Sequence, residues 1–293
     1  PNPLMAPFFI LFYGIMMADM GYGLLMLAMG LFLWKKKVRG TMDYMGGLLV
    51  LCGISTFVVG ALTGGFFGDF LSQLAKLIDP KSTFALPYLF TPLTDTMAIL
   101  IGSLVLGFVQ ILTGMVISFV KKARDGHIMD GIWDEGTWWV IFLGGGLAVL
   151  SIGNVAGYPA VLILGILMLI IGSSRNAKGF GKVTSVFGAV YNGVTGYFSD
   201  IMSYSRLMAL MLSGSIIASV FNQLGAVTGN VIAFVIISAL GNALNFALNL
   251  LGCYVHDLRL QCLEFFNRFY ESGGKPFRPL AYQTNYVEIK EEH

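Results

Sequence analysis

The sequence predicts an all-α membrane protein with eight transmembrane helices, the last two long and strongly tilted. Three observations predict it. Apolar residues make up 56% of the chain and charged residues only 12%, about half the roughly 25% of an ordinary soluble domain. The apolar residues fall in runs of about 15–40, and about 20 suffice to cross a hydrocarbon core of ~30 Å. The chain also holds 37 glycines, and helices in lipid use small residues to approach one another closely.

The first span covers about 5–20 and the second about 22–34. They join at Gly21-Tyr22-Gly23, which fits only a narrow hairpin or a broken helix. The third runs from about 46 to 68 and ends in the Gly-rich GGFFGDF. From about 69 to 95 the chain is polar, and Pro80, Pro87 and Pro92 rule out a long helix there. Spans four to six cover about 96–120, 137–153 and 158–173. The seventh, about 183–224, and the eighth, about 230–270, are different: some 40 helical residues extend ~60 Å, twice the hydrocarbon thickness. Such helices must tilt strongly or project into water. Residues 271–293 read as a cytoplasmic tail.

Loop charges orient the bundle. With a cytoplasmic N-terminus and eight spans, the inside loops hold Lys35, Lys36, Lys37 and Arg39, then Lys121, Lys122 and Arg124, then Arg175, Lys178 and Lys182. The tail adds Arg268, Lys275, Arg278 and Lys290, while only Lys76 and Lys81 fall outside. Basic residues gather in cytoplasmic loops, so both termini are expected on the cytoplasmic side. No basic n-region or small-residue cleavage site precedes the first span, which therefore is not a signal peptide. The chain reads as the membrane portion of a larger polypeptide.

Two basic residues fit no loop. Arg206 lies in SDIMSYSRLMALMLSGSIIASVF and Arg259 in LNFALNLLGCYVHDLRLQCLEFF. A charge at mid-bilayer depth costs at least a few kcal/mol and usually marks an ion or substrate path. Guanidinium cannot escape that cost by losing its proton. On the eighth span Asn242, Asn245, Asn249, His256 and Arg259 recur at helical spacing; on the seventh Asn192, Ser199, Ser203, Arg206 and Ser213 do the same. Such stripes must face protein or water. Interhelical hydrogen bonding accounts for the Asn and Ser residues but not for the arginines. Asp200 points about 120° away from Arg206, and Asp257 about 160° away from Arg259. The missing anion suggests a partner subunit that brings one.

Other chemistry is sparse. Cys52, Cys253 and Cys262 show no metal or disulfide spacing and read as packing. No G-x-x-x-x-G-K-[ST] run occurs, so the chain is expected to bind no cofactor and to be no catalyst by itself.

Three motifs together resemble one family. SYSRLMALMLSGSIIASVF resembles the S-x-x-R-L-x-A-L-x-L helix of the membrane subunit called a or I in rotary V-type and archaeal-type ATPases. HDLRLQCLEFFNRFYESGGKPFRPL is similar to that family's last helix and tail, and PFFILFYGIMMADMGYGLL to its first hairpin, with Ala18 in place of the usual Gly. The resemblance implies the transmembrane half of a prokaryotic stator subunit in a cell membrane, without the cytoplasmic N-terminal half that binds the peripheral stalk.

It further implies a partner ring of small rotor subunits, each carrying a membrane-embedded acid, and a soluble ATPase head. The transported ion would be H+ or Na+, passed between two aqueous half-channels. Arg206 would stand between the channels, and Arg259 would be the companion arginine of the family's last helix. Glu264 would belong to the cytoplasmic half-channel with His256 nearby, and Asn192, Ser199, Ser203, Asn245 and Asn249 are channel-lining candidates. Asp19 matches the hairpin motif; a structural hydrogen bond to backbone weighs at least as much there as ion conduction. Asp69 sits at the outer end of a span. Asn192 and Asn249 replace glutamates of eukaryotic members and Gly214 a histidine, which argues against a carboxylate relay through those positions. The competing reading, a secondary transporter with a midplane site, lacks a visible inverted repeat.

Overall fold

A computed structural model describes residues 2–36, 41–150, 154–155, 158–174, 181–270 and 273–274. Lys37, Arg39, Arg175, Lys178, Lys275, Arg278 and Lys290, used above to orient the bundle, lie outside the described residues. Among the described residues the architecture is helical except for one pair of two-residue strands, Asn154–Val155 against Tyr158–Pro159. Among the described residues four helical stretches are long and apolar enough to cross a membrane: Tyr44–Thr63, Thr96–Arg124, Gly181–Val227 and Val231–Arg268. The other four expected spans are helices of 13–16 residues. By length and composition, then, four of the expected crossings are shown among the described residues.

Helices α1 (Asn2–Met17) and α2 (Met20–Lys35) both pack along α3 (Thr41–Thr63). Along α1 and its turn Gly14 abuts Ser55 and Ala18 O accepts from Thr63 Oγ1, while Gly23 and Gly30 of α2 abut Phe57 and Val50, so the two arms run along α3 in opposite directions. Their turn falls at Ala18-Asp19, ahead of the Gly21-Tyr22-Gly23 join expected from the sequence. Asp19 decides this: extended at φ −142°, its side chain accepts from the amides of Gly21 and Tyr22 and caps α2. The glycines instead sit inside α2, where Gly23 lets the α3 backbone come close.

After α3 the chain turns through Gly64, Phe67 and Gly68, all at positive φ, into a short helix, α4 (Phe70–Ile78). No regular element follows until α5 (Thr96–Arg124), as the prolines require. A single turn, α6 (Ile128–Gly131), runs through a π-helical turn into α7 (Thr137–Val149), which packs on α8 (Ala160–Ser174).

The seventh expected span is two helices, α9 (Gly181–Ser203) and α10 (Ser205–Val227), broken at Tyr204. The eighth is α11 (Val231–Arg259), continued by a π-helical turn, Leu260–Phe265, and a 3-10 turn, Phe266–Arg268. Both irregularities lie within two residues of an arginine. The core joins α1, α10 and α11 through Phe12, Met16, Tyr204, Leu207 and Leu260, all fully buried. Leu240, Leu244, Leu248, Leu251 and Val255 form an exposed apolar stripe on α11.

Candidate functional site

The site has two parts, an arginine cluster at the helix breaks and a buried amide ladder above it. Tyr204 interrupts the helical ladder, with bonds from Tyr204 N to Ile201 O and from Leu207 N to Tyr204 O, each 3.1 Å. The next turn presents Arg206, half-buried, with its Nη1 sealed from solvent and without a hydrogen-bond partner. His256 of α11 lies within electrostatic reach of both Arg206 and Arg259, and its Nδ1 is likewise buried and unpartnered. Glu264, in the π turn, interacts with Ser203 and with the charge of Arg206 while its Oε2 has no partner. Arg259 is exposed on the surface of α11. Among the described residues no carboxylate forms a salt bridge with either arginine.

The acids nearest in sequence are committed elsewhere. Asp200 pairs with Arg268, whose guanidinium lies 4.1 Å from the centroid of the Tyr197 ring. Arg268, assigned above to the cytoplasmic tail, is thus packed against α9. Asp257 is fully buried and accepts from Gln261 Nε2 at 3.3 Å.

The ladder starts at Asp69. Asn222 Nδ2 donates to Asp69 Oδ1 (3.0 Å) and to Phe67 O (2.8 Å). Asn242 Nδ2 donates to Asn222 Oδ1 (3.1 Å), and the Tyr22 hydroxyl donates to Asn242 Oδ1 (2.8 Å). Asn245 Nδ2 then donates to the Tyr22 hydroxyl (2.8 Å) and to Gly214 O (2.9 Å), and Asn249 Nδ2 to Asn245 Oδ1 (2.9 Å). Beside the ladder lies a cavity of about 220 Å³, bordered by Asp69, Thr63, Tyr88, Gly214, Ser215 and Ser219. At Gly214 a Cβ would come within 2.8 Å of Asn249 Nδ2. Only a glycine leaves that amide its place.

Asp19 organises the Asp69 end of the ladder. Its carboxylate accepts backbone N–H groups from Gly21 (2.8 Å), Tyr22 (3.2 Å), Phe67 (2.9 Å) and Gly68 (2.7 Å). The aspartate thus ties the α1–α2 turn to the turn carrying Asp69.

The expected residues therefore divide. Arg206, His256, Glu264 and Ser203 come together, and Asn245 and Asn249 join the ladder. Asn192 and Ser199 do not: both face outward on α9, away from either part. Nor does the α11 stripe keep one face, since Asn242, Asn245 and Asn249 are buried while Arg259 is exposed. At ~100° per residue, the 17 residues from Asn242 to Arg259 leave the arginine about 100° round from Asn242 and off the amide face. Tyr22, Asn222 and the ladder role of Asp69 were not read from the sequence. A phenol and a lone amide inside apolar runs were the available signal.

No family model matches the chain. Curated relatives do. It is 33% identical to the A-type ATP synthase subunit I of Methanocaldococcus jannaschii over 98% of this chain and 46% of that protein. By descent the chain is a homologue of subunit I. It is also 28% identical to the A-type ATP synthase subunit I of Pyrococcus horikoshii, over 100% of this chain and 44% of that protein. With the V-type ATP synthase subunit I of Borreliella burgdorferi the identity is again 28%, over 93% of this chain and 47% of that protein. The chain spans about half the length of the subunit I relatives it matches.

Proposed function

We propose that this chain is the membrane stator portion of a rotary A-type or V-type ATPase and carries H+ or Na+ past a ring of acidic rotor subunits. One observation carries the reading: among the described residues no hydrogen bond meets the buried Nη1 of Arg206, beside an unpartnered His256 nitrogen and an unpartnered Glu264 oxygen. A fixed cation that forms no salt bridge among the described residues suits an acid that arrives and leaves. The guanidinium would favour the ionised form of each passing carboxyl and so release its ion. Standing between two half-channels, it would also bar direct leakage, and each charge crossing 100 mV carries about 2.3 kcal/mol.

The 220 Å³ cavity and the ladder from Asp69 to Asn249 support an outer half-channel. Amide side chains neither gain nor lose protons at accessible pH, so in this reading the ladder is a wall and ions travel through the adjoining cavity. Asn249 and His256 are seven residues apart, which places the wall's inner end ~10 Å above the arginine cluster. Glu264 and Ser203 would border the cytoplasmic half-channel. Eight crossings with both termini cytoplasmic would complete the arrangement.

The test is ion transport by the complete ATPase. Arg206→Ala and Arg206→Lys are each expected to abolish ATP-driven pumping, and Arg259→Ala to cause a severe but partial loss. Near-normal pumping by an assembled Arg206→Ala complex would overturn the assignment.

A further inference from the structure

Four buried side chains outside this ion path form a chain of their own. The Tyr204 hydroxyl donates to Gln110 Oε1 (2.6 Å), Gln110 Nε2 donates to Gln261 Oε1 (2.6 Å), and Gln261 Nε2 donates to Asp257 Oδ1 (3.3 Å). All four residues are 0% exposed. Every bond points the same way, so the dipoles align and each polarises the next.

The chain's position gives it meaning. Tyr204 is the break between α9 and α10, two residues before Arg206. Gln261 sits in the π turn two residues after Arg259, and Asp257 two residues before it. Both arginine-bearing segments are thus irregular at the arginine, where the regular i→i−4 ladder no longer dictates register. Gln110, on α5, bonds to both irregular points at once. One turn away, Gly107 of the same helix leaves room for the Tyr204 ring.

We infer that Gln110 is a positioning residue that ties the break before Arg206 to the π turn after Arg259, fixing the two guanidinium groups relative to each other. The inference rests on the proposed role of Arg206. Displacing a working group by 1 Å can cost ~100-fold in rate, so a tie at this place would show in transport.

Gln110→Leu keeps the volume but leaves the Tyr204 hydroxyl and the Gln261 carbonyl oxygen unsatisfied in the core. In the complete ATPase, with the subunit present at wild-type level, ions pumped per ATP hydrolysed are expected to fall roughly tenfold or more. Gln110→Glu, which in its neutral form accepts from Tyr204 and donates to Gln261, should restore most of that ratio. A residue that only fills space would show no such difference between Leu and Glu.

A wild-type ratio in Gln110→Leu, or equal loss in both variants, overturns the inference. Should Gln110→Leu fail to assemble, Tyr204→Phe removes one bond and keeps the ring. It is expected to lower the same ratio by a smaller factor, and an unchanged ratio there also overturns the inference. The two readings fail separately: normal pumping by Arg206→Ala sinks the stator assignment, whereas a dead Arg206→Ala beside a normal Gln110→Leu sinks the tie alone.

Discussion

Four backbone amides converge on the Asp19 carboxylate, two from its own helix start and two from a turn 48 and 49 residues away. Three of these four bonds end on Oδ1, so little lone-pair capacity is left there for a mobile ion. The geometry therefore favours the structural role among the two weighed from the sequence. Asp19→Ala would strand buried N–H groups, each costing about 1–3 kcal/mol. Its thermal midpoint in the assembled complex is expected to drop well below wild type, with Asp19→Asn intermediate because an amide oxygen still accepts. A wild-type midpoint for Asp19→Ala would show that the turn stands without it. At the same scale, Arg206 and Arg259 were legible because arginine in an apolar run stands out. Gln110 and Gln261 were not, because their pairing spans 151 positions and nothing local announces it.

Helices α2, α10 and α11 are joined by side chains as much as by packing. Tyr22 is the hub: its hydroxyl donates to Asn242 and accepts from Asn245, joining the upper and lower halves of the ladder. Tyr22→Phe leaves the ring in place against Phe67 and Phe246 but unsatisfies both amides. The expected cost is about 1–3 kcal/mol in stability together with slower pumping, read from thermal melts and transport of the same complex. Unchanged values in both would remove the ladder from the account.

Element existence was readable from apolar runs and proline positions, and α5 and α11 lie where those runs predicted helix. Element breaks were not. Tyr204 sits in an unremarkable helical sequence, and its break is held by tertiary bonds to Gln110 and by aromatic packing on Phe12. Likewise the α1–α2 turn moved from three glycines to an aspartate, since capping chemistry outweighed conformational freedom. Asn192 and Ser199 shared a spacing with Arg206 that the break at Tyr204 divorces from a common face.

Across the whole molecule, polar commitments are split between the two ends of the bundle. Glu135, in the π-helical turn before α7, is nearly buried against the end of α5, accepts from Ser118 Oγ at 2.9 Å, and lies 3.8 Å from Lys122 Nζ. Burial pushes its carboxyl above the ordinary carboxylate range, with Ser118 and Lys122 pulling it partly back. The folded chain thus binds this proton more tightly than the unfolded one. Stability from this group is fullest below the ordinary carboxylate value and is lost as pH rises through the raised one. Glu135→Gln removes the titration and keeps the shape. Its melting midpoint is expected to match wild type near pH ~4 and to exceed it at neutral pH. Parallel curves would show that Glu135 holds no excess proton.

The π turn at Leu260–Phe265 sets which way the following Phe266–Arg268 turn faces. Each residue added to or taken from a helix swings everything beyond it by ~100° and slides it 1.5 Å. Taking one residue out of this turn would carry Glu264 round to another side and pull Arg268 off both Asp200 and the Tyr197 ring. A single wide turn thus sets the azimuth of an acid and a latch, and the side chains beyond it are tuned by counting residues as much as by their chemistry.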